Sequence, residues 1–312
     1  MAKKSMGIHH ITAIVGDPQE NVDFYAGVLG LHLVKKTVNF DDPGTYHLYF
    51  GDKTAKPGTI ITFFPWGEAY KGKIGDGQVG VTTYAVPAGA LVFWEKRLEK
   101  FEVPFSKTTR FEEQSLTFDD PHGLHLELVE RQLGEPSSWS IGEVTEDIAI
   151  KGFGGATLYT ANAEKTAELL ETVLGFEKMG EEGDFMRFRA ASELGNIIDV
   201  KLSPVGTGQM GVGTVHHIAW RAQDDVDQLD WKEQVETYGL GVTPVQDRNY
   251  FNAIYFREYG DILFEIATDP PGFAIDESPE SLGKALMLPP QYERHRKNLQ
   301  QDLPPIQVRN LD

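Results

Sequence analysis

The sequence predicts an α+β fold of four βαβββ modules, arranged as two tandem domains whose open mixed sheets surround a metal cleft. Three observations predict it. Strand-like runs, a helical run and a closing hairpin recur in the same order four times along the 312 residues. A histidine doublet, His9-His10, stands in the first strand-like run and returns as His216-His217 in the run that opens the last unit. An acid, Glu265, lies on the closing strand of that unit, in Ile262-Leu263-Phe264-Glu265-Ile266.

The first module begins at Ile8. Residues of a strand point alternately to its two faces, so His9, Ile11, Ala13 and Val15 share one side and His10 and Thr12 the other. Asp17-Pro18 starts a helix, with the acid as cap and proline in the first turn. Val22, Tyr25, Val28 and Leu29 follow at helical spacing, and Gly30 supplies the left-handed stop. Strands are expected at 33–38, 46–50 and 59–64. The second module opens at 79–84, has its helix at 88–101, and closes with a hairpin whose turn is Asp119-Asp120-Pro121-His122-Gly123. Residues 132–148 are polar and read as a linker. The third module opens at 154–159. Its helix, 163–174, ends in Val173-Leu174-Gly175, matching Val28-Leu29-Gly30. The fourth opens at Val215, has a helix at 225–238 and closes with strands at 253–257 and 262–267. The expected division is therefore an N-terminal domain (6–131), a linker (132–148), a C-terminal domain (149–270) and an extension (271–312).

Superposing the modules places His10, Thr83, Leu158 and His217 at one position, and Thr62, Glu127, Asp199 and Glu265 at another on the closing strand. Alternation turns His10, His217 and Glu265 away from the apolar faces of their strands. If the first and fourth modules pair across a cleft, the four equivalent positions supply two histidines, one carboxylate and the neutral hydroxyl of Thr62. Two histidines and a carboxylate with open positions form the ligand set of a non-haem Fe(II) centre. A lone histidine in a strand is ordinarily a packed or capping residue. Two at equivalent positions, with an acid at a third, favour the metal reading. His122 is read as a solvent-exposed turn residue and His125 as pointing the same way as Glu127, without a second metal site; His32, His47 and His295 are read as ordinary surface or core residues. Gly154-Gly155 begins a strand instead of following one, which is wrong for a phosphate loop.

Bulk properties narrow the class. The net charge of −18, from 29 basic and 47 acidic residues, opposes nucleic acid and anionic membranes as partners. No cysteine is present, so neither a disulfide framework nor a thiolate site is available. No apolar run reaches membrane-spanning length and the first residues lack the apolar core of a signal peptide, so a cytoplasmic location is expected. A homo-oligomer is compatible with these properties.

The phrases Gly7-Ile8-His9-His10-Ile11-Thr12, Val215-His216-His217-Ile218-Ala219, Asp247-Arg248-Asn249-Tyr250-Phe251, Tyr255-Phe256-Arg257-Glu258 and Ile262-Leu263-Phe264-Glu265-Ile266-Ala267-Thr268-Asp269 carry a resemblance to the vicinal oxygen chelate (glyoxalase/bleomycin resistance/dioxygenase) superfamily. Within it the chain is most similar to the hydroquinone-type ring-cleaving dioxygenases, and the tail, with Pro271-Gly272-Phe273 and Leu288-Pro289-Pro290, extends the likeness over nearly the whole chain. The resemblance implies Fe(II) held by His10, His217 and Glu265, with Mn(II), Zn(II) or Ni(II) as alternatives. It implies supporting catalytic roles for His9, Thr12, His216, Arg248 and Tyr255, although strict alternation turns His9 and His216 from the metal face. The implied partners are a small aromatic diol and dioxygen. Rival readings are an extradiol catechol dioxygenase, a glyoxalase-type lyase or isomerase, and a protein that sequesters an aromatic compound.

Overall fold

A computed structural model describes residues 3–312. The four modules are present. The first comprises β1 (Ile8–Val15), α1 (Pro18–Val22), β2 (His32–Val38), β3 (Tyr46–Gly51) and β4 (Ile60–Pro65). The second comprises β5 (Gln78–Val86), α2 (Leu91–Lys100), β6 (Phe105–Arg110), β7 (Glu113–Asp119) and β8 (His125–Glu130). The third has β9 (Gly152–Tyr159), α3 (Ala163–Thr172), β10 (Glu177–Glu182), β11 (Phe185–Arg189) and β12 (Ile197–Lys201). The fourth has β13 (Thr214–Ala222), α4 (Asp225–Thr237), β14 (Gln246–Asp247), β15 (Phe251–Arg257) and β16 (Leu263–Pro271).

Local chemistry shapes these elements as expected. Asp17 caps α1 by accepting from the Glu20 amide at 2.8 Å, and Pro18 occupies the first turn. The helix then departs from expectation: Asp23–Val28 forms π-helical turns before Gly30 stops it at φ +69°. The carbonyls of Gly27 and Val28, left free at that end, accept from the buried guanidinium of Arg97 at 2.8 and 2.6 Å.

The strands form two eight-stranded mixed sheets. The first runs β14-β15-β16-β13-β1-β4-β3-β2 and joins the first module to the fourth. The second runs β10-β11-β12-β9-β5-β8-β7-β6 and joins the second to the third. Each sheet thus draws one module from each side of the 132–148 segment. At the centre of each, the two opening strands pair antiparallel (β1 with β13, β5 with β9), and each opening strand pairs parallel with the closing strand of its own module.

One apolar core lies between the helices and one face of both sheets. Ile11, Ile61, Ile218 and Phe264 point into it from the first sheet, and Tyr84, Leu128, Phe153 and Val200 from the second. Trp220 and Phe264, essentially inaccessible, each contribute roughly 1.5–3 kcal/mol through burial of their rings. A smaller cluster, including Tyr49, Ala219, Tyr250, Phe251 and Phe273, covers the other face of the first sheet.

After β16 the extension returns across that sheet. Phe273 stacks on Tyr250 at 5.0 Å. The ammonium of Lys35, wholly buried, lies 2.5 Å from Asp276 and 2.6 Å from Glu277. The last short helix, α5 (Arg296–Asp302), precedes a tail whose Asp312 pairs with Arg97 at 2.9 Å.

Candidate metal centre

The antiparallel register of β1 on β13 sets Thr12 opposite His217 and His10 opposite Ala219. Parallel pairing then places Glu265 beside Ala219 and Thr62 beside Thr12. Four adjacent strands therefore carry Thr62, His10, His217 and Glu265 on one face. His10 Nε2 lies 3.3 Å from His217 Nε2, and Glu265 Oε2 lies 3.5 and 2.9 Å from these two nitrogens. Donor atoms this close, all on one side of an open space, suit three neighbouring positions on one cation.

The carboxylate supplies the test of fit. Glu265 is completely inaccessible to solvent, yet no donor hydrogen is aligned on either of its oxygens, close as His217 Nε2 is. Burial alone pushes its carboxyl up, but the adjacent His10 and His217 hold it well below the usual carboxylate range. A buried anion without hydrogen bonds is costly unless a cation completes it. The second sheet provides an internal comparison. There Asp199 and Glu127 occupy the positions of Glu265 and Thr62 by register. Glu127 accepts from Ser115 at 2.6 Å and Thr83 at 2.8 Å, and Asp199 is bound by Arg187 at 2.8 and 3.0 Å. The void between them is about 20 Å³, room for little more than water. Only the first sheet keeps its carboxylate free and its face open.

The doublets are explained by bulges. Between Ile8 and His10, β1 advances two residues while β13 advances one; between Thr12 and Ala13 the imbalance is reversed. The extra residues are His9 and His216. Each bulge breaks the alternation that would turn the first histidine of a doublet away. His9 Nδ1 consequently lies 2.9 Å from His10 Nδ1, and His216 Nδ1 lies 2.7 Å from His217 Nδ1. Each ligand-type imidazole has its second nitrogen held by its chain neighbour, which fixes ring orientation and leaves both Nε2 atoms facing inward. Burial, with the adjacent histidine charge second, lowers the His9 imidazole and pushes His216 down to about 3.

The same bulges correct one expectation about the repeat. In the second sheet they fall at Gly80 and Gly154, so Val81 and Gly155, not Thr83 and Leu158, occupy the positions of His10 and His217. Neither can bind a metal.

A cavity of about 380 Å³ opens in front of Glu265, His10 and His217. Its walls include Phe40, Phe64, Trp66, Phe251 and Tyr255. Phe251 lies against His10 with ring centroids 4.9 Å apart. Arg248, on the cavity wall, donates to the Tyr255 hydroxyl at 3.2 Å and reaches Asp41 at 3.2 Å. Of the expected supporting residues, Thr12, His216, Arg248 and Tyr255 line the cavity, whereas His9 stands behind His10.

Other histidines differ from expectation. His47 lines the cavity and is not an ordinary surface or core residue. Its alternation with Tyr49 on β3, next to the strand carrying Thr62, was the available signal. His122 is buried and accepts from the Gly16 amide at 3.3 Å, because its turn is folded under the first module. His125 is exposed and pairs with Asp119 at 2.6 Å.

The sequence matches the model of the Glyoxalase/Bleomycin resistance protein/Dioxygenase superfamily over residues 7–128 and 152–276. The chain belongs to this superfamily. Among its relatives, MhqO of Bacillus subtilis (strain 168), whose name assigns it provisionally to the ring-cleaving dioxygenases, is 70% identical over the full length of both chains. The chlorohydroquinone/hydroquinone 1,2-dioxygenase of Sphingobium indicum is 37% identical over 92% of each chain. The crystal structure of a protein from Bacillus subtilis, provisionally named a dioxygenase, superposes with a TM-score of 0.98 at 69% identity, over 99% of this chain and 100% of that one. Glyoxalase I from Zea mays, at 13% identity and a TM-score of 0.63 over 84% of this chain and 92% of its own, shares the superfamily fold. Relatives named for dioxygenase activity over the whole length place this member among the enzymes of the superfamily.

Proposed function

We propose that the protein is a non-haem Fe(II)-dependent dioxygenase that opens the ring of hydroquinones, substituted or not. The observation that supports this most is Glu265: a fully buried carboxylate with no donor hydrogen aligned on it, held against two histidine Nε2 atoms at the wall of an aromatic-lined cavity. The 37% identity to a hydroquinone 1,2-dioxygenase points to the substrate class. His10, His217 and Glu265 are the residues that would hold the metal. Fe(II) held there would supply charge favouring an ionised substrate hydroxyl, and a path for electrons between ring and dioxygen.

The remaining steps fall to the chain's own side chains. The aromatic walls exclude water and orient the ring. Arg248, steadied by Tyr255 and Asp41, presents donors to oxygens that gain negative charge as the ring opens. His9 orients His10 from behind. When His217 uses Nε2 for a metal, its Nδ1 hydrogen goes to His216 Nδ1, which leaves the His216 hydrogen on Nε2. His216 then serves as a neutral donor and proton relay at the cavity wall. Thr12 acts from the wall on the other side of His10. Thr62, already bonded to Thr12 and His47, stands where a four-ligand lyase site would place another acid, and so disfavours that reading. A cytoplasmic enzyme acting on a small diol belongs to the same proposal; no helix among the described residues is long and apolar enough to cross a membrane.

The test is oxygen uptake by anaerobically prepared, Fe(II)-loaded protein offered hydroquinone, methylhydroquinone and catechol, with metal-free protein as control. Iron-dependent uptake with the para-diols, little with catechol, and loss of both iron and uptake in His217→Ala and Glu265→Ala is the expected result. Preference for catechol would give the same centre to an extradiol enzyme, and no uptake from iron-loaded protein would overturn the dioxygenase reading.

A further inference from the structure

Three strands of the first sheet carry a continuous row of hydrogen-bonding side chains beside the cavity, which Tyr49, His47 and Thr12 of the row line. The Tyr49 hydroxyl lies 2.8 Å from His47 Nδ1. His47 Nε2 lies 2.8 Å from Thr62 Oγ1, and Thr62 Oγ1 lies 2.9 Å from Thr12 Oγ1. Tyr49 and His47 come from β3, Thr62 from β4 and Thr12 from β1, which are neighbours in the sheet. His10 and the register partner His217 flank Thr12.

Such a row has two possible directions, and the donor strength of its end groups chooses between them: Tyr49, like His47 and Thr12, lines the cavity, but a phenol is a better donor and a poorer acceptor than an aliphatic hydroxyl. A phenol carries one hydrogen. Among the described residues, the only hydrogen-bond partner of the buried Tyr49 hydroxyl is His47 Nδ1. Burial raises the Tyr49 phenol and lowers the His47 imidazole, so both are neutral near pH 7. A neutral imidazole has one donor and one acceptor nitrogen. If Tyr49 donates to Nδ1, the His47 hydrogen is on Nε2 and goes to Thr62. Thr62 must then donate to Thr12, whose own hydrogen has no acceptor among the described residues and is available to the cavity. The opposite direction would make the phenol oxygen, the weakest acceptor in the row, accept from the imidazole and leave the best hydroxyl donor without an acceptor among the described residues, which is the costlier arrangement.

We propose that Tyr49 and His47 are positioning residues that hold Thr12 as a hydrogen-bond donor toward the oxygen-bearing substrate, through Thr62. The substrate in this statement rests on the dioxygenase reading; the direction of the row does not. Thr12 thereby offers an O–H, and not a lone pair, on the side of the metal site that has no protein ligand. That donor suits an ionised hydroxyl or a reduced oxygen and complements Arg248 on β14–β15 across the cavity.

Two measurements on the full-length protein decide this. Long-range ¹H–¹⁵N correlation spectra of metal-free protein report the His47 tautomer, with its signals assigned by their loss in His47→Gln. The expected result is the Nε2–H form in the wild type, with that preference weakened in Tyr49→Phe. An Nδ1–H form in the wild type overturns the proposal. In Fe(II)-loaded protein, Thr62→Val, which keeps the shape but breaks the row, should lower kcat with hydroquinone roughly tenfold or more while KM moves less and iron content is unchanged. Thr62→Ser should recover most of the loss. Wild-type turnover in Thr62→Val overturns the link to Thr12. If the wild type turns over no diol, the dioxygenase reading fails, and the tautomer still decides the direction of the row.

Discussion

The histidines of the chain, most of them around Glu265, show how burial sets protonation. Five histidines, His9, His32, His47, His216 and His217, have pKa values lowered from the ordinary 6.5, in each case first by burial. Unfolded, each takes up a proton near pH 6.5; folded, each resists until lower pH, about 3 for His216. Between those values the unfolded chain binds more protons, so stability rises with pH. The stabilising difference is fully present above pH 6.5 and is lost as the pH falls toward the folded values. The raised carboxyls of Glu258 and Asp120, also burial effects, act in the opposite sense but are fewer. The Tm of metal-free protein should therefore fall between pH 7 and pH 5 in a calorimetric series at constant ionic strength. A flat or rising Tm would contradict the burial of these rings as neutral species. Bound metal steepens the trend, because protonated ligands release it.

At the scale of the element, both sheets carry one added residue on each central strand, and the residue types at and after those bulges make the difference between them. Bulges at His9 and His216 bring both members of each doublet to the site, whereas the equivalent bulges at Gly80 and Gly154 precede Val81 and Gly155. The glycines there are required by close packing. A Cβ on Gly155 would stand 2.0 Å from the Ile197 carbonyl oxygen, and one on Gly80 would stand 2.5 Å from the Tyr159 ring. Backbone cannot give as a side-chain tip can. Gly155→Ala should thus destabilise by about 1–3 kcal/mol or more in urea unfolding, with iron binding in the first sheet retained. Stability equal to the wild type would show that β9 and β12 can separate at no cost. The helices were legible for local reasons: capping by Asp17, the Gly30 stop and the Val-Leu-Gly ends depend on residues within a turn or two. The π-helical turns at Asp23–Val28 were not, because no spacing of apolar residues distinguishes them from an α-helix.

For the whole molecule, the pairing of the first module with the fourth means that neither sheet can form from one side of the 132–148 segment. The central antiparallel pairs, β1 with β13 and β5 with β9, would be missing from a fragment of 1–131 or of 149–312. Lys35 would also lose Asp276 and Glu277 and be left as a buried, unpaired charge in the N-terminal fragment. Neither fragment should unfold cooperatively as a monomer by circular dichroism or retain iron, and co-expression should restore both properties. A monomeric, cooperatively folded 1–131 would show that the modules on one side suffice for each other.

The sequence by itself determined the four modules, their α+β class, the superfamily, and the set His10, His217 and Glu265 as the residues to bring together. The modules, the class and the residue set follow from period, caps and repeat, and the superfamily from the resemblance that the histidine-doublet and closing-strand phrases carry; each is written within short stretches of chain. The closing-strand equivalence of Thr62, Glu127, Asp199 and Glu265 was legible for the same reason, since each acid or hydroxyl lies in a plain alternating run. Only the tertiary structure decided that His9 and His216 bulge toward the site, that Val81 and Gly155 take the histidine positions in the second sheet, and that His47 faces the cavity. Each of these depends on the register between strands from distant parts of the chain. A one-residue slip in that register exchanges the faces of a strand, and it is set by packing that no short stretch contains.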